Sequence, residues 1–256
     1  MAEFDPGPQD SLAEHFARVP APSHPDDFWF DWGPIFYRGR LDGSARVLCV
    51  GSDPGPTERI PGRCLVGNAG QRVQGFLTKL GLTRSYVCVN AWAYAVHPSQ
   101  AQTEQQHLDE PDELAWRNEL YDRITGPELQ AVVAFGAMAQ RAVDLWDSRP
   151  DVPLKRVPHP SSRDPDKLLN AWRAAVEDLR GVVTPDPDGD NTGPNYGAKF
   201  KEADHAAIPR RDLPFGVPDF LGDDAWLREH GGQSAVSRPS PDDGHTLIWH
   251  APEGSA

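Results

Sequence analysis

Apolar residues gather in four short runs rich in β-branched side chains and bounded by polar, Gly or Pro residues, a pattern that predicts buried β-strands. These runs are Val47–Val50, Tyr86–Val89, Ala131–Phe135 and Leu154–Val157. Between and after them, apolar positions recur every three to four residues, the spacing of amphipathic helices. The predicted helices are Gln71–Leu80, Asp112–Ile124, Ala137–Trp146 and Pro165–Leu179, the last with Asp164 as its N-cap.

Strands that alternate with helices form parallel sheets that are covered on both faces. We therefore predict an α/β fold, a three-layer α/β/α sandwich with a central, mainly parallel four-stranded sheet, over residues 45–180. Residues 1–44 are expected to form a helical and aromatic extension packed on this core, because six aromatic side chains fall between positions 28 and 37. Residues 181–256 are expected to form a loop-rich, acidic C-terminal extension that wraps the core, since Phe220, Trp226 and Trp249 are unusual in a disordered tail.

The composition restricts the class of protein. Of the 256 residues, 38% are apolar, and no run of 18 apolar residues predicts a membrane span. The first ten residues lack the basic and apolar regions of a signal peptide. Three cysteines without CxxC spacing favour neither a disulfide framework nor a structural zinc site. We therefore expect a cytoplasmic, monomeric protein with no bound metal or cofactor.

The charge is strongly negative in total but unevenly distributed. The formal net charge is −13, which counts against a polyanionic partner. Residues 181–256 hold 6 Lys/Arg and 13 Asp/Glu, or −7, whereas residues 46–99 hold six bases and two acids, or +4. Binding to a polyanion depends on the charge of the contacting face. The sequence therefore leaves a nucleic-acid partner open.

Three polar residues follow three of the predicted strands. Asp53 lies in a Gly- and Pro-rich loop after the first strand, Asn90 ends the second, and His159 follows the fourth. Each residue type is common in turns when it stands alone. Ligands of open α/β sheets bind beyond the carboxyl ends of the strands, however, so the three together indicate a functional site.

The segments around these residues carry recognisable motifs. They are GSDP at 51–54, GRCLVGNAG at 62–70, Asn90 at a strand end, VVAFGAMA at 132–139 and HPS at 159–161. In combination they resemble the uracil-DNA glycosylase superfamily. The resemblance covers about residues 45–180 and implies a catalytic domain there that flips uracil out of DNA and hydrolyses its N-glycosidic bond.

The resemblance also implies a role for each residue. Asp53 is expected to stabilise the cationic sugar and orient water, and His159 to donate a hydrogen bond to uracil O2. Asn90 would read the uracil edge, because its amide offers one donor and one acceptor in a fixed plane. Further substrate contacts are expected from Ser52, Gly55 and Leu65, and DNA contacts from Arg63, Ser161, Ser162 and Arg163, with Arg59 as a further phosphate contact.

The sequence departs from the family pattern at several positions. Gly55 stands where some members place a Tyr against the thymine methyl, and Leu65 stands where an aromatic residue normally stacks on the base. The cluster cysteines of the iron–sulfur classes are missing, so we predict no cluster. A second His-Pro-Ser begins at His97, but we favour His159 because it follows a strand of its own.

Two other functions stay open at this point. One is a glycosylase for another deaminated or mismatched base, and the other is a DNA- or damage-binding protein that keeps the fold without turnover. The joint presence of Asp53, Asn90 and His159 favours an enzyme, and Asn90 favours uracil over a purine.

Overall fold

A five-stranded sheet forms the centre of the computed structural model, which describes residues 4–217, 236–237 and 248–249. Its strands are β1 (Tyr37–Gly39), β2 (Val47–Gly51), β3 (Tyr86–Asn90), β4 (Ala131–Phe135) and β5 (Leu154–Val157). Their order across the sheet is β1-β3-β2-β4-β5. Strands β2 to β5 are mutually parallel, and β1 pairs antiparallel with β3 at one edge.

The prediction of four strands was wrong, because the sheet has five and the additional one is the edge strand β1. Strand β1 has only three residues, Tyr-Arg-Gly, and so carries no apolar run by which the sequence would show it. It becomes a strand because its backbone pairs with the exposed edge of β3, with Tyr37 opposite Val89. The strand therefore exists through a tertiary contact.

Among the described residues, six helices pack around the sheet. They are α1 (Asp10–Phe16), α2 (Asn68–Lys79), α3 (Ala101–Gln106), α4 (Pro111–Ile124), α5 (Ala137–Asp144) and α6 (Pro165–Arg180). As predicted, Asp164 caps α6, accepting a hydrogen bond from the backbone N–H of Lys167 at 2.9 Å. This cap satisfies one of the backbone donors that a helix start leaves open.

Alternation along the strands produces two apolar layers. Leu48 and Val50 of β2 point into a core with α1, α4 and α5, whereas Val47 and Cys49 point into a core with α2 and α6. The second core is built around Trp172, which contacts the rings of Phe76 and Phe135 edge-on. The predicted three-layer α/β/α arrangement follows from these two cores.

Both flanking segments contact the sheet domain. In the N-terminal segment Phe28, Trp29 and Trp32 are buried, and Phe28 bridges to Val96. After residue 181, the buried Asp186 accepts hydrogen bonds from the backbone N–H groups of residues 83–85. Asp212 forms an ion pair of 2.9 Å with the fully buried Arg38.

Farther along the C-terminal segment, the structure describes two short strands, β6 (Val236–Ser237) and β7 (Ile248–Trp249), which pair antiparallel. The aromatic residues Phe220 and Trp226 lie outside the described residues. Within the described ranges, no helix is both long and apolar enough to cross a bilayer.

Candidate active site

The ends of β2 and β3 hold the Asp53 and Asn90 loops side by side. Gly51 stands opposite Asn90 in the strand register, and a Cβ atom on Gly51 would collide with the Asn90 side-chain oxygen. Beyond the strands, the Ala91 N–H donates to the Gly51 carbonyl at 2.9 Å and the Trp92 N–H to the Ser52 carbonyl at 3.0 Å. The loop that begins at Gly51 and carries Asp53 therefore runs alongside the loop that begins at Asn90.

His159 is positioned at the same edge of the sheet by β4 and β5. The Gly136 N–H donates to the Val157 carbonyl at 2.8 Å, and Gly136 has a φ of +93°, which favours glycine. A Cβ atom there would lie 3.0 Å from the Cβ of His159. Because β4 pairs with β2, the imidazole lies at the carboxyl edge that also carries Asp53 and Asn90.

The Asn90 amide is buried and incompletely satisfied. Its side chain is 6% exposed, and its Nδ2 donates to the Cys64 sulfur at 3.5 Å. Its Oδ1 is buried and has no hydrogen-bond partner among the described residues. Buried carbonyl groups are nearly always paired, so an open acceptor at a strand end indicates a position for a ligand.

Asp53 is half-buried and fixed by a backbone donor. Its Oδ2 accepts a hydrogen bond from the Val96 N–H at 3.0 Å. Val96 belongs to the segment after Asn90 and bridges to Phe28 of the N-terminal segment. The orientation of the carboxylate therefore depends on two segments outside its own loop.

The His159 ring is held neutral with a defined tautomer. Burial lowers the pKa of His159 from its ordinary 6.5 to about 4, because a charged imidazole would lose its hydration. Its Nδ1 accepts a hydrogen bond from the Ser161 N–H at 3.2 Å. In a neutral imidazole the other nitrogen then carries the proton, so Nε2 is a donor.

Leu65 lies beside Asn90 in a strained backbone conformation. It is 6% exposed, and its Cδ2 lies 3.5 Å from where a Cβ of Gly51 would stand. Its φ of +52° is the only positive value of a non-glycine residue among the described residues. Such strain costs on the order of 1–3 kcal/mol and is concentrated at functional sites.

Glu58 is a buried residue of this site that sequence reasoning missed. Its Oε1 accepts hydrogen bonds from the N–H groups of Val66 at 2.9 Å and Gly67 at 3.0 Å. Its Oε2 lies 2.7 Å from where a Cβ of Gly55 would stand, so a side chain at the predicted substrate residue Gly55 would displace the Glu58 carboxylate. The carboxylate clamps the Asp53 loop to the start of α2. The available signal was an acidic residue in a loop that precedes a helix start, where carboxylates are favoured.

Arg72 supports the His159 loop and was also missed. From α2, its guanidinium donates to the Pro160 carbonyl at 2.6 Å and to His205 Nε2 at 3.3 Å. No local pattern pairs a residue of α2 with the His-Pro-Ser motif, whose Pro160 lies 88 positions later.

The predicted DNA-contact residues are divided between two places. Ser161 and Arg163 are exposed and Ser162 is half-buried, in a turn closed by a 2.8 Å hydrogen bond from the Ser162 N–H to the His159 carbonyl. Arg63 lies elsewhere: its Nε bonds Asp5 at 2.5 Å and its guanidinium lies 4.6 Å from the centre of the Tyr37 ring. Arg59 lies over the Trp32 ring. The structure thus groups the three residues of the His159 turn and keeps Arg63 apart from them.

The second His-Pro-Ser has a different environment. The centre of the His97 ring lies 4.1 Å from that of Trp29. The backbone N–H of His97 donates to the Asp27 carbonyl at 2.9 Å. The three cysteines are all buried, two within neighbouring strands and Cys64 beside Asn90.

The comparison with known families agrees with this geometry. The family model described as the uracil DNA glycosylase superfamily matches residues 38–180, more than half of the chain. The chain belongs to the uracil DNA glycosylase superfamily. It is therefore a member of a family of DNA repair glycosylases, hydrolases that act on DNA, and the matched segment contains Asp53, Asn90 and His159. No curated protein sequence matches the chain.

Proposed function

We propose that this member of the superfamily is a uracil-DNA glycosylase that releases uracil and leaves an abasic site. The observation that carries the proposal is the buried Asn90 amide, whose Oδ1 has no hydrogen-bond partner among the described residues. Uracil presents a donor at N3–H beside an acceptor at O4. Asn90 can therefore accept from N3–H with Oδ1 and donate to O4 with Nδ2.

The same amide rejects cytosine. Cytosine presents an acceptor at N3 and an amino donor at C4, so acceptor would meet acceptor and donor would meet donor. Sites that hydrogen-bond a substrate edge discriminate strongly, because a wrong base leaves buried polar groups unpaired. The target base must leave the duplex to reach a group so deeply buried, as in other enzymes that act on single bases.

His159 is suited to stabilise the departing base. When the C1′–N1 bond breaks, its electron pair moves to the uracil ring and negative charge develops on O2. The Nε2–H of a neutral, half-buried imidazole can donate to that oxygen. Donors of this kind contribute roughly 3–4 kcal/mol to transition-state stabilisation.

Asp53 is suited to the sugar side of the reaction. Its carboxylate stabilises the oxocarbenium-like sugar and orients the water whose oxygen bonds to C1′, as carboxylates do in glycoside hydrolysis. The proton of that water passes to the uracil anion or to solvent, so no covalent enzyme intermediate is required. The Val96 N–H donates to Oδ2 at 3.0 Å and so fixes the orientation of this carboxylate.

DNA is held next to His159 in this proposal. Ser161, Ser162 and Arg163 form the exposed turn beside the imidazole and would contact the phosphates that flank the flipped nucleotide. Arg63 would contribute only if its ion pair with Asp5 opens. A monomer in the cytoplasm is sufficient for this function.

A mismatched or otherwise deaminated base is the second candidate substrate. The observation that favours it is Gly55, which carries no side chain to exclude the methyl group of thymine. A side chain at this position would displace the Glu58 carboxylate. A thymine opposite guanine is the most direct test of this candidate.

The experiment is cleavage of labelled oligonucleotides that carry one uracil, one mispaired thymine or one hypoxanthine, with alkali to reveal abasic sites. Wild-type protein should cleave the uracil substrate, and Asp53→Asn and Asn90→Ala should lose at least a hundredfold in rate. His97→Gln is the matched control for His159→Gln, since only the second should lose activity. Cleavage of thymine or hypoxanthine in place of uracil would refute the uracil assignment, and DNA binding without cleavage would favour a non-catalytic protein.

A further inference from the structure

A second cluster of chemically active side chains lies away from the three strand-end residues. His24 precedes the 3₁₀ turn Pro25–Asp27, Glu104 lies on α3, and His107 opens the 3₁₀ turn that follows α3. One possible ligand atom from each of these three residues lies within 4.8 Å of the others. Residues about 80 positions apart in the chain thus converge on one point.

Three donors of the cluster surround a common centre, and a fourth lies beside two of them. Nδ1 of His107 lies 3.3 Å from Glu104 Oε1. Glu110 adds a fourth donor, because its Oε1 lies 3.9 Å from His24 Nδ1 and 4.0 Å from His107 Nδ1. In a tetrahedral zinc site with bonds near 2.0–2.1 Å, the ligand atoms are ~3.4 Å apart. The Glu104–His107 pair is already at that spacing, and the contacts of Glu110 with the two imidazoles are longer by about half an ångström.

Two buried atoms in the cluster also lack a hydrogen-bond partner of good geometry within the described part of the chain. Glu104 is only 1% exposed, yet its Oε1 has no hydrogen-bond partner among the described residues, and neither has His107 Nδ1. The Asp27 carboxyl lies close to that of Glu104, which places two acids side by side. Buried charges are normally paired or coordinate metals, because an unpaired one is costly to desolvate. A bound cation would satisfy both the acids and the open nitrogen.

Neighbouring groups hold the donors in place. The Ser23 hydroxyl donates to the other oxygen of Glu110, and the Trp92 indole donates to the Glu104 backbone carbonyl at 3.3 Å. Such supporting contacts orient ligands in known metal sites.

We propose that His24, Glu104 and His107, completed by Glu110, bind one divalent first-row transition metal, with Zn²⁺ the best match to two imidazoles and two carboxylates. Imidazole donors disfavour Mg²⁺ and Ca²⁺, which select oxygen ligands. The number and spacing of cysteines do not reveal this site, because its ligands are histidine and glutamate.

The position of the site gives the metal a structural task. It would tie the N-terminal segment to the α3 region, and both contact the loop after Asn90. In the N-terminal segment, the backbone carbonyl of Asp27 accepts a hydrogen bond from the backbone N–H of His97, and Phe28 forms a β-bridge with Val96. The backbone N–H of Val96 in turn donates to the Asp53 carboxylate. A metal held there would stabilise the segment that orients the Asp53 carboxylate.

The test uses full-length, tag-free protein, freed of metal by a chelator that is then removed. Titration with Zn²⁺ should show one equivalent bound, and Co²⁺ in its place should give the visible absorption of a tetrahedral site. His24→Ala and His107→Ala should each weaken binding at least tenfold, since even outer-shell changes cost ~10–100-fold. Asp109→Asn, an exposed acid next to the cluster, is the matched control and should leave binding unchanged.

The midpoint of thermal unfolding supplies a second measurement. Zn²⁺ should raise it in wild type and in Asp109→Asn but not in His24→Ala, a variant expected to fold because His24 is exposed. Absence of stoichiometric binding, or binding equally tight in the wild type and both histidine variants, would overturn the proposal.

Discussion

The half-buried imidazole of His159 makes the stability of the protein depend on pH in a predictable direction. The unfolded imidazole binds a proton below its ordinary pKa of 6.5, whereas the folded one does so only below about 4. Between these values the unfolded state holds more protons, so stability must fall as the pH falls through that window. The perturbation that isolates this effect is His159→Gln, which removes the titrating group.

The magnitude follows from the size of the pKa shift. At about 1.36 kcal/mol per pH unit, a change from 6.5 to about 4 corresponds to on the order of 3 kcal/mol in full. Roughly 2 kcal/mol of this loss is reached by pH 5. Relative to wild type, His159→Gln should therefore gain about 2 kcal/mol between pH 7.5 and pH 5.

The assay is urea unfolding of wild type and His159→Gln at pH 5.0, 5.5, 6.5 and 7.5. Other titrating groups act on both proteins alike and cancel in the difference. His15, whose pKa burial also lowers, stacks on Trp116, so His15→Gln should show the same sign of effect without loss of glycosylase activity. A difference between wild type and His159→Gln that stays constant within 0.5 kcal/mol, well below the ~2 kcal/mol expected, would refute the lowered pKa of the imidazole.

Three further predictions concern the supports of the site and its contact with DNA. Glu58→Ala should cost about 2–3 kcal/mol in unfolding free energy and lower activity, because two backbone N–H groups lose their acceptor. Glu58→Gln, which keeps one acceptor oxygen, should cost less. Equal stability of wild type and both variants would contradict the role of Glu58 in holding the Asp53 loop to α2. Asp212→Ala should cost about 3–5 kcal/mol in urea unfolding, because it leaves the guanidinium of Arg38 buried without its ion-pair partner; the exposed Arg211→Ala is the control and should change little. Activity should fall steeply with salt, and Arg163→Ala should make the log–log slope less negative by about 0.9 if that residue contacts one phosphate; a wild-type slope near zero would exclude phosphate-driven binding.

The layer arrangement was predictable because it depends on local patterns. Apolar runs mark strands that are buried on both faces, and period-3.6 spacing marks the helices between them. Strand β1 was not predictable, since its three residues become a strand only by pairing with β3.

The sequence by itself determined which residues reach the carboxyl edge of the sheet. Asp53, Asn90 and His159 each follow a strand, and parallel strands deliver their ends to one edge, so their common location follows from order along the chain. Tertiary structure alone decided what surrounds them: Glu58 clamps the Asp53 loop and Arg72 braces the His159 loop. It likewise pairs Arg63 with Asp5 and gathers His24, Glu104 and His107. These contacts join residues that are distant in sequence, and no local pattern encodes them, because burial and partner atoms exist only once the chain has packed.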